Sequence, residues 1–406
     1  MKREFDTIII GAGASGMMAS IISARMGYRV LLLEKLPKVG AKLKASGGGR
    51  CNLSNTLPND IFMQHFGRNG RFMSYALEAF DHHKLIEFFS SIGVRSDALD
   101  GFRIFPVGHN SQSIIDAMVE EMRRVGVEIL CNQRVDRLEI EDSRVVGVST
   151  TTDSFYSSKV VIATGGKGYP KLGTEGDGYT LAQSVGHKIT KLYPAMMPLK
   201  TKERWVANCR ADTIPKAKLK VDIKKYKNLS ATGDLIFSKD GIRGPVVLDF
   251  SREITPLLDK LGEVPLLMNL TKGLNQEQIR QHLKKSNNHT QTTLSILKTL
   301  IPSSLAIEIC KIADIDPNTT LPKALQRDTL ISLLAWTPLT IIGHSGFDMA
   351  MVTRGGVLLK EIDPKSMESR LVDGLYFCGE VVDLDGPCGG YNLQWAFASG
   401  VLVGGG

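Results

Sequence analysis

The chain has 406 residues, 43% hydrophobic and 23% charged, with 50 Lys and Arg against 42 Asp and Glu for a formal net charge of +8. That length exceeds the ~100–200 residues of one ordinary domain, and no apolar run reaches the ~20 residues of a membrane span, so two or more water-soluble units are expected and no membrane partner. Cysteines 51, 131, 209, 310, 378 and 388 form no CxxC pair and no disulfide framework, which points to a reducing cytoplasm.

Lys2 and Arg3 ahead of "TIIIGAGASGMMASII" imitate a secretory leader, but Glu4, Asp6 and the glycines suit the first buried strand of a mature fold. "FDTIII", "GAGASG", "MMASIISARMG" and "YRVLLLE" read as strand, turn, helix and strand. Isoleucines without alternation fit a parallel strand buried on both faces, and Gly27 closes the helix packed on it. After "LKASGGGRCNLSN" come helical patterns in "NGRFMSYALEAF", "HHKLIEFFSSIG" and "NSQSIIDAMVEEMRRVG". An antiparallel meander follows, with turns at Glu141 to Ser143 and at Asp153–Ser154, before a buried strand at Val160 to Ala163.

From about Tyr193 the texture changes. "IPKAKLKVDIKKYK" alternates lysine with apolar residues, which marks a half-buried strand. From Asn275, an N-cap, to about Trp336 the pattern is helical, with breaks at Pro302 and Pro322. β-like segments resume at "MVTRGGVLLKEI" and "GLYFCGE". The expected organisation is a discontinuous α/β domain, 1–192 plus 343–406, around an inserted β-plus-helical domain, 193–342.

"GAGASG" places Gly11, Gly13 and Gly16 in a GxGxxG between strand and helix, with Glu34 closing the second strand. Gly11 permits the tight turn, Gly13 lets a pyrophosphate reach the backbone, Gly16 lets the helix sit close to the sheet, and Glu34 is placed for ribose hydroxyls. The helix N-terminus meets the anion's charge. A nicotinamide domain would continue with βα units after the acid. Here a Lys- and Gly-rich loop ending in Arg50, Cys51 and Asn52 follows instead, and its glycines let the backbone lie against a flat ring.

These blocks, with "VVIATGGKGYPKLGTEGDGY", "GDLIFSKDGIRGPVVL" and "VTRGGVLLKEIDPKSMESRLVDGLYFCGEVVDLDGPCGGYNLQWAFASG", resemble the YhiN/BaiN-like family of FAD-binding flavoproteins, a group that includes aminoacetone oxidases. The resemblance covers essentially the whole chain. It implies a glutathione-reductase-type Rossmann-like FAD domain with an insert of small β-barrel and helical bundle. It also implies that Gly11, Gly13, Ala14, Ser15 and Gly16 hold the pyrophosphate, and that Glu34, in its Glu34–Lys35 pair, holds the adenosine ribose. Ser46, Gly47, Gly48, Gly49, Arg50, Cys51 and Asn52 would line flavin and pyrophosphate, Val135 would offer its backbone to adenine, and Ala163, Thr164, Gly165 and Gly166 would close over the cofactor. Gly379, Glu380 and Asp383 would meet the ribityl end, and Gly390, Tyr391, Asn392 and Leu393 would open a helix aimed at the flavin O2 edge, where a helix N-terminus favours negative charge. Ending at "VLVGGG", that helix is short beside those of longer relatives.

Cys51 and Cys378 lack the CxxxxC spacing of flavin disulfide reductases and read as packed thiols. The histidines show no metal-ligand spacing, and His82–His83 read as surface residues. The lysines at 216, 218, 220, 224, 225 and 227 read as the solvated face of a barrel strand, with a polyanion patch as the alternative. The leading function is an FAD-dependent oxidoreductase with noncovalent FAD and a small organic substrate, either an amine oxidase or a reductase fed by transiently bound NAD(P)H. Alternatives are an FAD-dependent nucleic-acid (tRNA) modifier, which the basic charge leaves open, and a non-enzymatic flavin-binding protein.

Overall fold

The structure, a computed structural model, describes residues 3–108, 110–286, 291–321 and 324–405; the expectations for Lys2 and for a break at Pro322 lie outside them. Two units divide the chain, one of Met1–Tyr193 with Val352–Gly406, the other of Pro194–Met351.

In the first unit, β1 (Thr7–Ile10) leads through the glycine turn into α1 (Ala14–Arg25) and on to β2 (Val30–Leu33). Both strands are buried throughout and pair in parallel, Thr7 opposite Val30 and Ile10 opposite Leu33. α2 (Ala41–Ala45) enters a short 3-10 turn at Ser46–Gly49, and β3 (Ser54–Asn55) follows. The helix expected across "NGRFMSYALEAF" divides into a 3-10 segment, Gly67–Met73, and an α-helical turn, Ser74–Ala79. The reason is local: a Cβ at Gly70 would strike the Met63 carbonyl, so close packing on the preceding helix sets this backbone. α3 (Ser111–Arg124) has its N-terminus capped by Asn110, whose side chain accepts from the Gln112 and Ser113 amides. β4 (Glu128–Leu130) then joins β2 in parallel. β5 (Val135–Glu141), β6 (Arg144–Thr150) and β7 (Ser154–Tyr156) form the antiparallel meander, turning where Asp142 and Ser143 take positive φ. β8 (Val160–Ile162) returns beside β1, and α4 (Asp177–Ser184) follows.

The second unit contains a closed barrel. β9 (Leu199–Thr201), β10 (Thr213–Val221), β11 (Ser230–Phe237) and β12 (Gly241–Arg243) precede α5 (Pro245–Leu261) and β13 (Val264–Asn269). α6 (Gln276–Ser286), α7 (Thr293–Leu297), α8 (Ser303–Ile312) and α9 (Ala324–Ala335) lead to β14 (Thr337–His344). The order around the barrel is β9-β12-β11-β10-β13-β14, closed by β9 on β14. Asn275 Oδ1 accepts from the Gln278 N–H at 2.9 Å, in keeping with its reading as a cap. Alternation puts Ala217, Leu219 and Val221 into the barrel core and Lys216 and Lys218 outside it. β14 carries barrel pairing through His344, past the boundary at 342 expected from the sequence, because Lys200 pairs with Gly343 and Leu199 with His344.

Back in the first unit, only Val352–Arg354 of "MVTRGGVLLKEI" is strand, while Leu359–Glu361 is a 3-10 turn. β15 (Leu375–Phe377) completes a parallel sheet in the order β15-β8-β1-β2-β4. α10 (Tyr391–Gly405) packs on α1 with little space between backbones. A Cβ at Gly400 would lie 2.5 Å from the Ser15 carbonyl oxygen, and one at Gly404 2.8 Å from that of Ala19. Glycine here permits helix contact that any larger residue would prevent.

Candidate cofactor site

The site gathers at the C-terminal edge of the parallel sheet, where ligands bind in open α/β folds. Gly11 has φ +101°, and a Cβ there would sit 2.7 Å from the Ala163 carbonyl oxygen, so the turn after β1 lies directly on the chain leaving β8. A Cβ at Gly16 would collide with the Gly11 carbonyl, which fixes how closely α1 follows the turn. Gly13 differs: its φ is −81°, and an added Cβ would meet nothing within 4 Å. The chain crowds Gly11 and Gly16 and leaves space over Gly13.

Glu34, one residue past β2, turns its carboxylate to the same turn, accepting from the Ala12 N–H at 2.8 Å and the Leu36 N–H at 2.9 Å. Lys35 points elsewhere, with Nζ 2.6 Å from Glu175 and 2.5 Å from Asp177, which Arg134 also meets at 2.8 Å. Gly47, Gly48 and Gly49 all take positive φ, and Cβ atoms at Gly48 and Gly49 would meet nothing within 4 Å. Ser46 closes the turn by donating to the Leu43 carbonyl (2.7 Å), and the Arg50 guanidinium stacks over the Phe105 ring (5.1 Å). Val135 is buried at the start of β5, paired with Thr150.

Ala163 donates from its N–H to Ile10 at 2.9 Å, which continues the sheet into Thr164–Gly166. Thr164 Oγ1 is buried without a hydrogen-bond partner. A Cβ at Gly166 would lie 2.6 Å from Glu380 Oε1, and one at Gly379 2.5 Å from Ser15 Oγ, so the C-terminal segment closes onto both glycine loops. Glu380 forms an ion pair with Lys42 (2.7 Å) and accepts from the Thr353 N–H (2.8 Å). Ser399 Oγ accepts from the Gly379 N–H at 2.9 Å, and Trp395 donates to the Gly379 carbonyl at 3.1 Å. Sequence reasoning overlooked Lys42, Thr353, Trp395 and Ser399. Lys42 stands one residue before "LKASGGGRCNLSN", but nothing local announces a partner 338 positions away. Burial pushes the Asp383 carboxyl up from its ordinary value, against a hydrogen bond with Thr190.

At the start of α10 the backbone packs closely against β3. A Cβ on Gly390 would lie 2.3 Å from the Ser54 carbonyl oxygen, and the Gly390 N–H reaches the Asn52 amide oxygen at 3.0 Å when the amide nitrogen faces the Ser54 carbonyl. Gly390 is therefore required by contact with β3. The buried Tyr391 ring packs on Phe62 (4.9 Å) and His65 (4.7 Å). Asn392 pins the preceding loop, accepting from the Gly386 N–H and donating to its carbonyl, both at 2.8 Å, and Leu393 packs on the core.

Cys51 and Cys378 are buried, and desolvation pushes their thiols up to about 11 and about 12. Both are protonated at neutral pH, so neither supplies the thiolate that disulfide exchange requires. Among the described residues no helix is long and apolar enough to cross a membrane.

A glycine fingerprint between β1 and α1, on a parallel sheet with an acid closing its second strand, defines a Rossmann-type dinucleotide-binding fold, and its relatives place the protein among the FAD-dependent oxidoreductases. The family model described as HI0933-like protein Rossmann domain matches residues 5–406, and the chain belongs to that family, the one to which the YhiN/BaiN-like resemblance pointed. The chain is 34% identical over 405 residues to 3-dehydro-bile acid delta(4,6)-reductase of Clostridium scindens, covering 98% of this chain and 97% of the relative. It is 29% identical over 401 residues to ribosomal RNA dihydrouridine synthase of Escherichia coli, covering 98% and 96%. A flavocytochrome c3 fumarate reductase in its open conformation shares the fold with a TM-score of 0.54 at 17% identity, over 99% of this chain and 78% of that one.

Proposed function

We propose that the protein is a reductase with noncovalently bound FAD, that it acts on carbon–carbon double bonds conjugated to a carbonyl, and that NAD(P)H supplies the electrons. The observation that carries this reading is full-length similarity to a delta(4,6)-reductase of a 3-dehydro bile acid, a substrate whose name describes a double bond conjugated to a ketone. The dihydrouridine synthase's name describes the same change on a pyrimidine ring.

The residues fit the cofactor. Open space over Gly13, Gly48 and Gly49 and the unpartnered Thr164 Oγ1 suit a dinucleotide laid along these loops. The Gly11–Gly16 turn and the N-terminus of α1 would hold the pyrophosphate, Glu34 the adenosine ribose, and Val135 the adenine edge. FAD would supply the two-electron chemistry, and the chain binds, orients and excludes water. Lys42 neutralises Glu380 beside Gly166 and so keeps an uncompensated carboxylate away from a phosphate-bearing ligand. The buried, protonated Cys51 and Cys378 offer no dithiol relay, so the electron donor and the acceptor would each meet the cofactor directly.

The test is turnover with NADH or NADPH and a 3-oxo-4,6-diene steroid, beside a panel of primary amines. The expected result is loss of the dienone with gain of two hydrogens. Oxidation of an amine with no loss of dienone would favour the oxidase instead.

A further inference from the structure

The positive charge is not spread evenly. Residues 194–351 hold 22 Lys and Arg against 15 Asp and Glu, a net of +7, while the rest of the chain holds 28 against 27, a net of +1. Nearly all of the protein's basicity thus belongs to the unit with the barrel, and its densest part is β10 with the turn that follows. Residues 210–227 carry Arg210 and six lysines against Asp212 and Asp222.

The geometry of β10 displays those lysines together. With Ala217, Leu219 and Val221 committed to the barrel core, Lys216 and Lys218 stand exposed on the outer face with Lys220 half-buried beside them. Directly across on β11, Lys218 faces Thr232 and Lys220 faces Ser230, both exposed hydroxyl residues rather than acids. Lys224, Lys225 and Lys227 continue the charge on the exposed turn beyond the strand. Asp234 lies beside the stripe, accepting from the Lys216 backbone N–H at 3.1 Å, and Asp222 sits at its end. Among the described residues none of these six lysines is held in an ion pair. Two partly exposed aromatic rings are set among them: Lys220 Nζ lies 3.8 Å from the centre of the Trp336 ring, and Lys225 Nζ 5.7 Å from that of Tyr226.

We propose that this outer face of the barrel, from Lys216 through Lys227, is an RNA-docking surface. The lysines match a phosphate backbone, on which ammonium groups release counterions. The Trp336 and Tyr226 rings are platforms for unpaired bases, and the Ser230 and Thr232 hydroxyls are donors and acceptors for ribose 2′-hydroxyls. That combination favours single-stranded or looped RNA over duplex DNA or an anionic lipid surface. The inference goes beyond the proposed reductase chemistry and does not depend on which double bond is reduced.

The experiment uses the flavin-loaded full chain and a fluorescent RNA hairpin with an unpaired loop, titrated by anisotropy across a range of KCl concentrations. For K216Q/K218Q/K220Q, three lost phosphate contacts at about 0.7 counterion each predict a log–log salt slope shallower by about 2 and about 50-fold weaker binding near 0.15 M salt. K224Q/K225Q/K227Q is expected to shift binding in the same direction. K188Q/K360Q/K365Q, on exposed residues of the other unit, is expected to leave it within about twofold, as charge removed away from the site acts only through screened long-range attraction. Far-UV circular dichroism and bound flavin should match wild type in all three, which separates a docking defect from a folding or cofactor defect. The proposal is overturned if both barrel variants bind RNA like wild type, or if wild type prefers phosphatidylglycerol vesicles or duplex DNA of equal charge to the hairpin.

Discussion

Gly13 and Gly16 stand three residues apart in one motif, yet the structure predicts opposite consequences for their substitution. Gly13 has a backbone conformation open to any residue, and its missing side chain would point into space that the protein does not use. Gly13→Val should therefore leave the apoprotein's stability unchanged or raise it by up to about 1 kcal/mol, since the unfolded chain loses glycine's extra freedom. The branched side chain would instead hold a pyrophosphate off the backbone. Losing two amide-to-phosphate hydrogen bonds at about 1.5–3 kcal/mol each weakens flavin binding by about 3–6 kcal/mol, or roughly 10²–10⁴-fold. The assay is paired: thermal unfolding of the flavin-free proteins, and flavin retained after gel filtration. Full flavin content with wild-type affinity in a folded Gly13→Val protein would refute the placement of the phosphate turn.

Gly16→Ala should behave in the reverse manner, because its Cβ would collide with the Gly11 carbonyl; thermal unfolding of the flavin-free protein should show a loss of about 1–3 kcal/mol or more. Gly390→Ala should likewise destabilise the fold, since φ is +85° and its Cβ would press on the Ser54 backbone; a variant with wild-type melting and a changed reduction potential would mean that α10 acts on the flavin instead. Alkylation of Cys51 by iodoacetamide should be slow at pH 8 and rise only as pH approaches about 11; fast modification of the folded protein at pH 8 would contradict its burial. The buried His187 sits between Glu361 (3.2 Å) and Ser369 (2.8 Å), and desolvation lowers its pKa from 6.5. The unfolded chain therefore binds this proton first as pH falls, so the stability His187 contributes is present above pH 6.5 and is lost below it; His187→Gln should flatten that part of a melting-temperature profile measured against pH.

What the sequence made legible was local. The strand, turn and helix around "GAGASG", the meander turn at Asp142–Ser143 and the lysine alternation of β10 each follow from spacing within a dozen residues, where period and turn chemistry act directly. The roles of Gly390 and Lys35 were not legible. Gly390 answers to Ser54, more than 300 positions away, and Lys35 to the acids at the start of α4. The Lys42–Glu380 pair is of the same kind. Contacts of such separation leave no periodicity behind, and the residue types involved are as common on ordinary surfaces. The 3-10 segment at Gly67–Met73 failed as a helix expectation for a related reason: its apolar spacing is helical, but packing against the Met63 backbone decides its conformation.

A chain that carries FAD and delivers electrons to a conjugated double bond, as proposed, passes them in two separable half-reactions. The most direct test is an anaerobic pair of half-reactions in a stopped-flow instrument, with flavin absorbance as the signal. The protein is first reduced with a stoichiometric amount of NADH or NADPH and then mixed with a 3-oxo-4,6-diene steroid or with a uracil-containing RNA. The expected result is bleaching by the nicotinamide and recovery of oxidised flavin by at least one conjugated acceptor without oxygen. Bleaching by amines but not by nicotinamides, or recovery only when oxygen is admitted, would contradict it.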